Sequence, residues 1–364
     1  MSFSEKQSLL PINSEACQRL DCAQIRHREQ RNRKFRIITF AMVAFMLLLH
    51  VTHRPVFSWH HRHKNNEDVS VSQIPSEQIM TQGYCDIFPT IPFQGVSHFE
   101  SPQDFDKLSI KVDGKRKYKQ LSIAGGTSIV LIDPDVSKVT TTFDIKLNSD
   151  LLQDKLWIEE IKDDSSKLYS LVVRVDDDFM GDPCIILDTV VRLPVKDALD
   201  ALSIGLPVSD ITLDDGLVFN DLSLSVAKGE LILGEDQTVG SARFSIASGD
   251  IHGTFKQLNG DLSASSAKGD INININEIND GNKNLKLSSA SGSLSLGLPS
   301  TFDSSFKLTT FMGTRTIQAS HPDDIHLQHG SFGKSVGHYG DADHLRGQVD
   351  LSSAKGDLTL SYTQ

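Results

Sequence analysis

Ser265-Ser-Ala-Lys-Gly-Asp-Ile-Asn-Ile273 is the clearest copy of a short phrase that recurs in the second half of the 364-residue chain. The other copies are Ser225–Leu233, Ser245–Ile251, Ser288–Leu296, Ser352–Leu360 and a degenerate copy, Leu308–Ile317. Their glycines are Gly229, Gly249, Gly269, Gly292, Gly313 and Gly356. These glycines are 20 to 23 residues apart, except for the last pair, whose spacing of 43 is close to two periods. A fixed period of this length is typical of stacked repeat architectures.

The residues around each glycine predict strands that meet at a corner. In Ile271-Asn-Ile-Asn-Ile275, aliphatic and polar residues alternate with period 2, which is the pattern of a strand with one buried face. The glycine itself can adopt a positive φ without steric cost, as a sharp corner requires. The many glycines, serines and β-branched residues argue against helix.

These strands fit two all-β folds. In a β-solenoid, each period is one coil, and like residues of neighbouring coils lie above one another at a spacing of about 4.8 Å. In an antiparallel β-meander or sandwich, each glycine turn closes a hairpin. Lys-Gly and Ser-Gly are weaker hairpin dipeptides than Asn-Gly, and near-identical neighbours suit in-register stacking. The solenoid is therefore the favoured prediction, with the meander or sandwich as the alternative.

The repeated phrase, with Leu296-Gly-Leu-Pro299 between copies, resembles an adhesin-like domain family of unknown function. That family is related to the head domain of proposed auto-transporter adhesins. The resemblance covers about residues 185–364, and it implies a β-solenoid and an adhesive role. The chain departs from the family in residues 1–184 and in the long interval between Gly313 and Gly356.

Residues 85–184 also contain strand-like segments, such as Ser128–Ile132 and Tyr169–Val175. We predict that this β-rich segment caps the open N-terminal edge of the solenoid formed by residues 185–364. Cys85 and Cys184 are the only cysteines after residue 22, and they form a candidate disulfide. Closing a loop of about 100 residues would stabilise the fold by roughly 4–5 kcal/mol in the chain-entropy treatment. Two buried thiols are the alternative.

The distribution of charge predicts a membrane protein. Residues 1–36 carry a net charge of +4, residues 37–53 carry no Lys, Arg, Asp or Glu, and residues 65–364 carry −18. We predict a cytosolic basic tail (1–36), a transmembrane helix (37–53) and a stem (54–84). The cluster of Lys and Arg before residue 37 places the N-terminus in the cytosol by the positive-inside rule. The rest of the chain would then be lumenal or extracellular, as in a single-pass type II signal-anchored protein.

The predicted cytosolic tail contains a candidate sorting signal. Glu5 precedes the Leu9-Leu10 pair by four residues, which resembles an acidic dileucine motif. That resemblance implies delivery to a vacuolar or endosomal membrane, with the cell surface as the alternative location.

The net charge and the motifs of the chain limit its class of function. A net charge of −11 argues against nucleic-acid binding, and no Walker, Gly-x-Ser-x-Gly or His-Glu-x-x-His motif occurs. We predict a non-catalytic binding or scaffold module without a cofactor, whose ligand is an unknown protein or glycan. The alternatives are a β-helix enzyme acting on polysaccharides and a metal- or pH-responsive vacuolar protein. For the latter, the candidates are the acidic residues after the corner glycines and the histidines of residues 321–344. Backbone capping by the acidic residues and a simple excursion loop are the favoured interpretations of these two groups.

Overall fold

The computed structural model describes residues 85–113, 121–328, 330 and 333–363. In these residues it contains 25 β-strands and three short 3-10 turns, Asp150–Leu152, Pro322–Asp324 and Ala342–His344. The strands are β1 (Ile91–Pro92), β2 (His98–Glu100), β3 (Lys107–Val112), β4 (Ser122–Gly125), β5 (Thr127–Ile132), β6 (Thr140–Leu147), β7 (Leu156–Asp163), β8 (Leu168–Val175), β9 (Cys184–Leu193), β10 (Ala201–Val208), β11 (Asp210–Leu213), β12 (Val218–Lys228), β13 (Leu231–Leu233), β14 (Gln237–Ser248), β15 (Ile251–Leu258), β16 (Leu262–Lys268), β17 (Ile271–Ile278), β18 (Lys283–Ser291), β19 (Leu294–Leu298), β20 (Ser304–Met312), β21 (Arg315–Ala319), β22 (Ile325–Gln328), β23 (Lys334–Tyr339), β24 (Gly347–Lys355) and β25 (Leu358–Tyr362).

The repeats form a β-solenoid of parallel coils. Each coil contributes one strand to a first row, which contains β8, β3, β10, β12, β14, β16, β18, β24 and β20, and one strand to a second row. Like residues of neighbouring coils are paired. Ser265 of β16, for example, pairs with Ser245 of β14 on one side and with Ser288 of β18 on the other. The prediction of a solenoid is confirmed by these registers. The antiparallel alternative is wrong for the repeats, because their strands run parallel.

A column of aliphatic side chains fills the interior of the coils. In β17, Ile271, Ile273 and Ile275 are at most 1% exposed, whereas the intervening Asn272 and Asn274 face outward. The registers stack Ile271 between Ile251 and Leu294, and they place Ile273 on Leu296. Burial of this column drives the stacking, since each strand exposes one aliphatic face that a single coil cannot cover.

The coils do not stack in the order of the chain. Their order in space is β8–β9, β3–β5, β10–β11, β12–β13, β14–β15, β16–β17, β18–β19, β24–β25 and β20–β21. The final pair of strands therefore lies between β18–β19 and β20–β21. This insertion accounts for the long interval between Gly313 and Gly356, because the chain first builds the outer coil and then returns to the inner one.

Antiparallel strands cover both ends of the stack. At one end, β7 pairs with β8, and β6 pairs with β9 and with β1 and β2. At the other end, β23 pairs with β20, and β22 pairs with β23. Residues 85–184 thus contribute more than a cap, since β3, β4 and β5 form a coil inside the stack.

Residues 1–84, which include the predicted tail, transmembrane helix and stem, lie outside the described residues. Among the residues that are described, no helix has the length and apolar character needed to cross a bilayer.

Candidate functional site

The six repeat-corner glycines lie in a single column along one corner of the solenoid. A Cβ added at Gly269 would fall on the carbonyl oxygen of Gly249, and one added at Gly292 would fall on that of Gly269. The column continues from Gly292 to Gly356 and ends at Gly313, so it follows the order of the coils in space. Gly269 has a φ of +144°, in the region that favours glycine. Close approach and backbone conformation therefore both require glycine here.

Acidic side chains follow the glycines and bond to the backbone of the next coil. Asp250 Oδ1 accepts the amide of Asp270 at 2.7 Å, and Asp270 Oδ1 accepts the amide of Ser293 at 2.7 Å. Asp357 accepts both the amide and the hydroxyl of Thr314, at 2.7 and 2.8 Å. These contacts are those of the backbone-capping interpretation of the acidic residues, in which each carboxylate fastens one coil to its neighbour.

The bonds from Thr314 change the ionisation of Asp357. The backbone N–H of Thr314 and, second, its hydroxyl hold the pKa of the Asp357 carboxyl below its ordinary value. A carboxyl whose pKa is lower in the folded state stabilises that state above its unfolded pKa of about 3.9. This contribution is lost as the pH falls through the folded pKa.

We expect the variant Asp357→Asn to have a lower Tm than the wild type at pH 7, and this difference to shrink as the pH falls below about 4. An asparagine can still accept the bonds but carries no charge and does not titrate. Thermal unfolding followed by circular dichroism between pH 2 and pH 7 measures the difference. Thr314→Val is the matched control, because it removes the hydroxyl bond and keeps the amide bond. A difference that is constant over the whole pH range would contradict this assignment.

The outward face of the first row of strands carries a ladder of hydroxyl groups. In five consecutive coils, Ser225, Ser245, Ser265, Ser288 and Ser352 pair in register, and Thr309 extends the column in the outermost coil. Two residues earlier in their strands, Arg243, Lys286 and Lys307 lie in a parallel column with Ser223, Ser263 and Asp350. We call these two columns the hydroxyl face. Its serine hydroxyls offer donors and acceptors at the coil spacing of about 4.8 Å, whereas Thr309 Oγ1 is buried.

Of the histidines of residues 321–344, two stack on each other and a third contacts an aspartate. His326 and His338 face each other across β22 and β23, with ring centroids 4.7 Å apart. His344 Nδ1 lies 2.8 Å from Asp341 Oδ2, in the last 3-10 turn. His321 precedes another 3-10 turn, and His329 lies outside the described residues. No group of three or more His, Cys, Asp or Glu that could hold a metal is found in the part of the chain that the structure describes.

Two contacts join residues that are distant in the sequence. Lys155 Nζ lies 3.2 Å from Asp176 and 2.8 Å from Asp178, and the bonds to Asp178 and Asp176 raise its pKa. Cys85 and Cys184 form a disulfide, with Cα atoms 5.8 Å apart. The bridge joins the start of the described chain to the first residue of β9. The sequence alone does not reveal the pairing of Lys155 with these carboxylates, since the partners are 21 and 23 residues apart and no local pattern joins them.

The repeat phrases, their common corner and their parallel registers allow a comparison with known families. Residues 235–332 match the family model Toastrack DUF4097. No curated protein matches the chain.

Three crystal structures from bacteria are similar to this chain. A proposed cell adhesion protein from Clostridium sporogenes is 11% identical, and the alignment covers 73% of this chain and 98% of that one, with a TM-score of 0.29. A proposed adhesin from Bacteroides fragilis is 10% identical, with 73% and 94% covered and a TM-score of 0.28. A proposed lipid binding protein from Parabacteroides distasonis is 10% identical, with 74% and 96% covered and a TM-score of 0.26.

Proposed function

We propose that the protein is a single-pass membrane protein that presents its β-solenoid as a non-catalytic binding or scaffold module in a lumenal or extracellular space. The apolar segment 37–53 and the charge of the residues around it support the anchor. The hydroxyl face supports the binding role, because serine hydroxyls recur there in register over five coils.

The ligand that best fits the hydroxyl face is an extended polymer, either a glycan or a protein segment. A column of side chains at about 4.8 Å intervals can make the same contact repeatedly with a chain that lies along it. Serine hydroxyls both donate and accept, and the flanking Arg243 and Lys286 add charged donors. Each single contact is weak, so affinity would arise from the number of coils engaged.

The experiment for this proposal replaces Ser265 and Ser288 together with glutamate in the full chain. We expect binding of the full chain to an array of glycans and extracellular-matrix proteins to fall roughly ten-fold or more, since bulky charges would interrupt the middle of the column. Asn272→Glu with Ser295→Glu is the matched control, because these two residues are paired in register on the outward side of the other row. Equal loss in both variants, or no loss in the first, would contradict a role for the hydroxyl face.

The predicted location is tested on the same chain. We expect a tag at the C-terminal end to be protected from protease in sealed vesicles, and a tag at residue 1 to be digested. We also expect Leu9→Ala with Leu10→Ala to move the tagged protein from a vacuolar or endosomal membrane to the cell surface. An unchanged location in fluorescence microscopy would remove the sorting signal from the proposal, whereas digestion of the C-terminal tag would remove the type II topology.

A further inference from the structure

One corner of the solenoid breaks the pattern of the repeat. Before the corner glycine, the other coils carry Ala followed by Lys or Ser, as in Ala267-Lys268 and Ala290-Ser291. The outermost coil, β20–β21, carries Phe311 and Met312 at the equivalent positions, and Met312 pairs in register with Lys355. Two large apolar side chains thus replace a small residue and a polar one at a position where the fold does not require them.

Both side chains project into solvent from a well-held turn. Phe311 is 73% exposed and Met312 is 54% exposed. The turn beneath them is fixed, because Thr310 is buried and its hydroxyl donates to the carbonyl of Gly356 at 3.0 Å. Single exposed apolar residues are common on protein surfaces, but an adjacent pair of this size at a turn is a feature of interaction sites.

The surroundings of this pair are basic, although the chain as a whole is acidic. Lys355 lies beside Met312 in the next coil, Lys334 of β23 pairs with Thr309, and Arg315 follows the turn. The acidic residue of this corner is Asp357, whose carboxylate is engaged by Thr314. We call Phe311, Met312, Lys334 and Lys355 the distal corner.

The distal corner lies at the end of the stack opposite to Cys85. β20–β21 is the last of nine coils, whereas Cys184, the partner of Cys85, begins a strand of the first coil. Eight steps of about 4.8 Å separate the two coils by roughly 38 Å. Of the two ends of the solenoid, the distal corner is therefore at the one farther along the stack from the point where the described chain begins.

We propose that the distal corner inserts into an anionic lipid surface. Apolar side chains that project from a turn can enter the boundary between headgroups and acyl chains, while neighbouring lysines bind the anionic headgroups. An acidic peptide would satisfy the lysines, but it would need a groove to receive its own apolar side chains, and the distal corner is a projection. The contact with a second bilayer rests on the proposed anchor; the affinity for anionic lipid does not.

The test reconstitutes the full chain in phosphatidylcholine donor vesicles and measures the capture of fluorescent acceptor vesicles. We expect acceptors that contain phosphatidylserine to be captured, and pure phosphatidylcholine acceptors to be captured roughly ten-fold less. The variant Phe311→Ala with Met312→Ser restores the Ala-Ser-Gly phrase of residues 290–292, so it should fold, and we expect it to lose capture by roughly ten-fold or more. Lys334→Ala with Lys355→Ala should remove the preference for anionic acceptors.

Phe88→Ala is the matched control, since Phe88 is 67% exposed near Cys85, at the other end of the stack. It should leave capture unchanged. Wild-type capture by the Ala-Ser variant, or equal capture of neutral and anionic acceptors, would overturn the proposal, as would capture of beads coated with an acidic peptide in place of anionic vesicles. If the chain does not float with neutral donor vesicles, the proposed transmembrane anchor is wrong. Flotation of the same chain with anionic vesicles then decides the affinity of the distal corner directly.

Discussion

Replacing Gly269 with alanine is expected to lower the free energy of unfolding by more than about 3 kcal/mol. The new methyl group would fall on the carbonyl oxygen of Gly249 in the preceding coil. The alanine would also have to adopt a φ of +144°, which residues other than glycine rarely do. The coils cannot separate locally to make room, because Gly269 donates its own amide to Ser291 at 2.9 Å and lies between two coils in register.

Gly216→Ala separates the two causes of this effect. Gly216 also has a positive φ, of +71°, but nothing lies within 4 Å of the position its Cβ would take. We therefore expect it to cost only about 1 kcal/mol, the strain of a left-handed residue. Denaturant unfolding followed by circular dichroism compares the two variants. Equal losses would show that backbone conformation, and not contact between coils, sets the need for glycine at the corner.

Removal of the disulfide is expected to be the second large effect. The variant Cys85→Ser with Cys184→Ser should lose about 4–5 kcal/mol of stability, since the bridge closes a loop between residues 99 apart in the sequence. The loop includes β3 to β5 and the strands that cap the first coil, so its release lets the whole end of the solenoid gain conformational freedom on unfolding.

Guanidinium unfolding with and without a thiol reductant measures this contribution. Reductant should destabilise the wild type by the same amount and should leave the double variant unchanged. Cys17→Ser with Cys22→Ser is the matched control, because these cysteines lie in the predicted cytosolic tail, and we expect no change in stability. A wild type that resists denaturant equally in both conditions would mean that the bridge does not stabilise the fold.

The parallel coils could be predicted because each repeat contains the residues that determine the structure of one coil. The phrase around Gly269 contains the alternating aliphatic residues, the corner glycine and the acidic cap, so the local pattern implies the fold of one coil and its fit to the next. The hydrogen bonds from backbone amides to the acidic side chains also follow from this repetition. Asp250 and Asp270 occupy like positions, and stacking places each carboxylate against the following amide.

The order of the coils could not be predicted, because a repeat phrase does not specify the other copy with which it pairs. Ser352–Leu360 matches the other copies well and would stack on any of them. Its position in the stack is determined by contacts of residues outside the phrase. The Tyr362 hydroxyl and Ser304 Oγ share a buried hydrogen bond at 2.8 Å, and the Tyr362 ring stacks on Tyr339 at 4.1 Å. These partners are 58 and 23 residues away, so no local pattern reveals them.

Of the two proposed binding surfaces, one could be predicted from the repeat and the other could not. The hydroxyl face follows from the repeated serines. The distal corner departs from the repeat, and its significance depends on exposure that only the three-dimensional structure provides: Phe311 could equally have been a core residue. The stacked pair His326 and His338 likewise depends on the pairing of β22 with β23.

The insertion of β24–β25 between β18–β19 and β20–β21 determines how the molecule can assemble. A simple repeat array can grow from one end, each new coil settling on a finished template as it leaves the ribosome. Here the outer coil is synthesised before the coil on which it rests, so it has no template when it emerges. Assembly of that end must therefore wait until residue 362 has been synthesised. When β24–β25 then pairs with both neighbours, the outer coil joins the rest of the solenoid in one step.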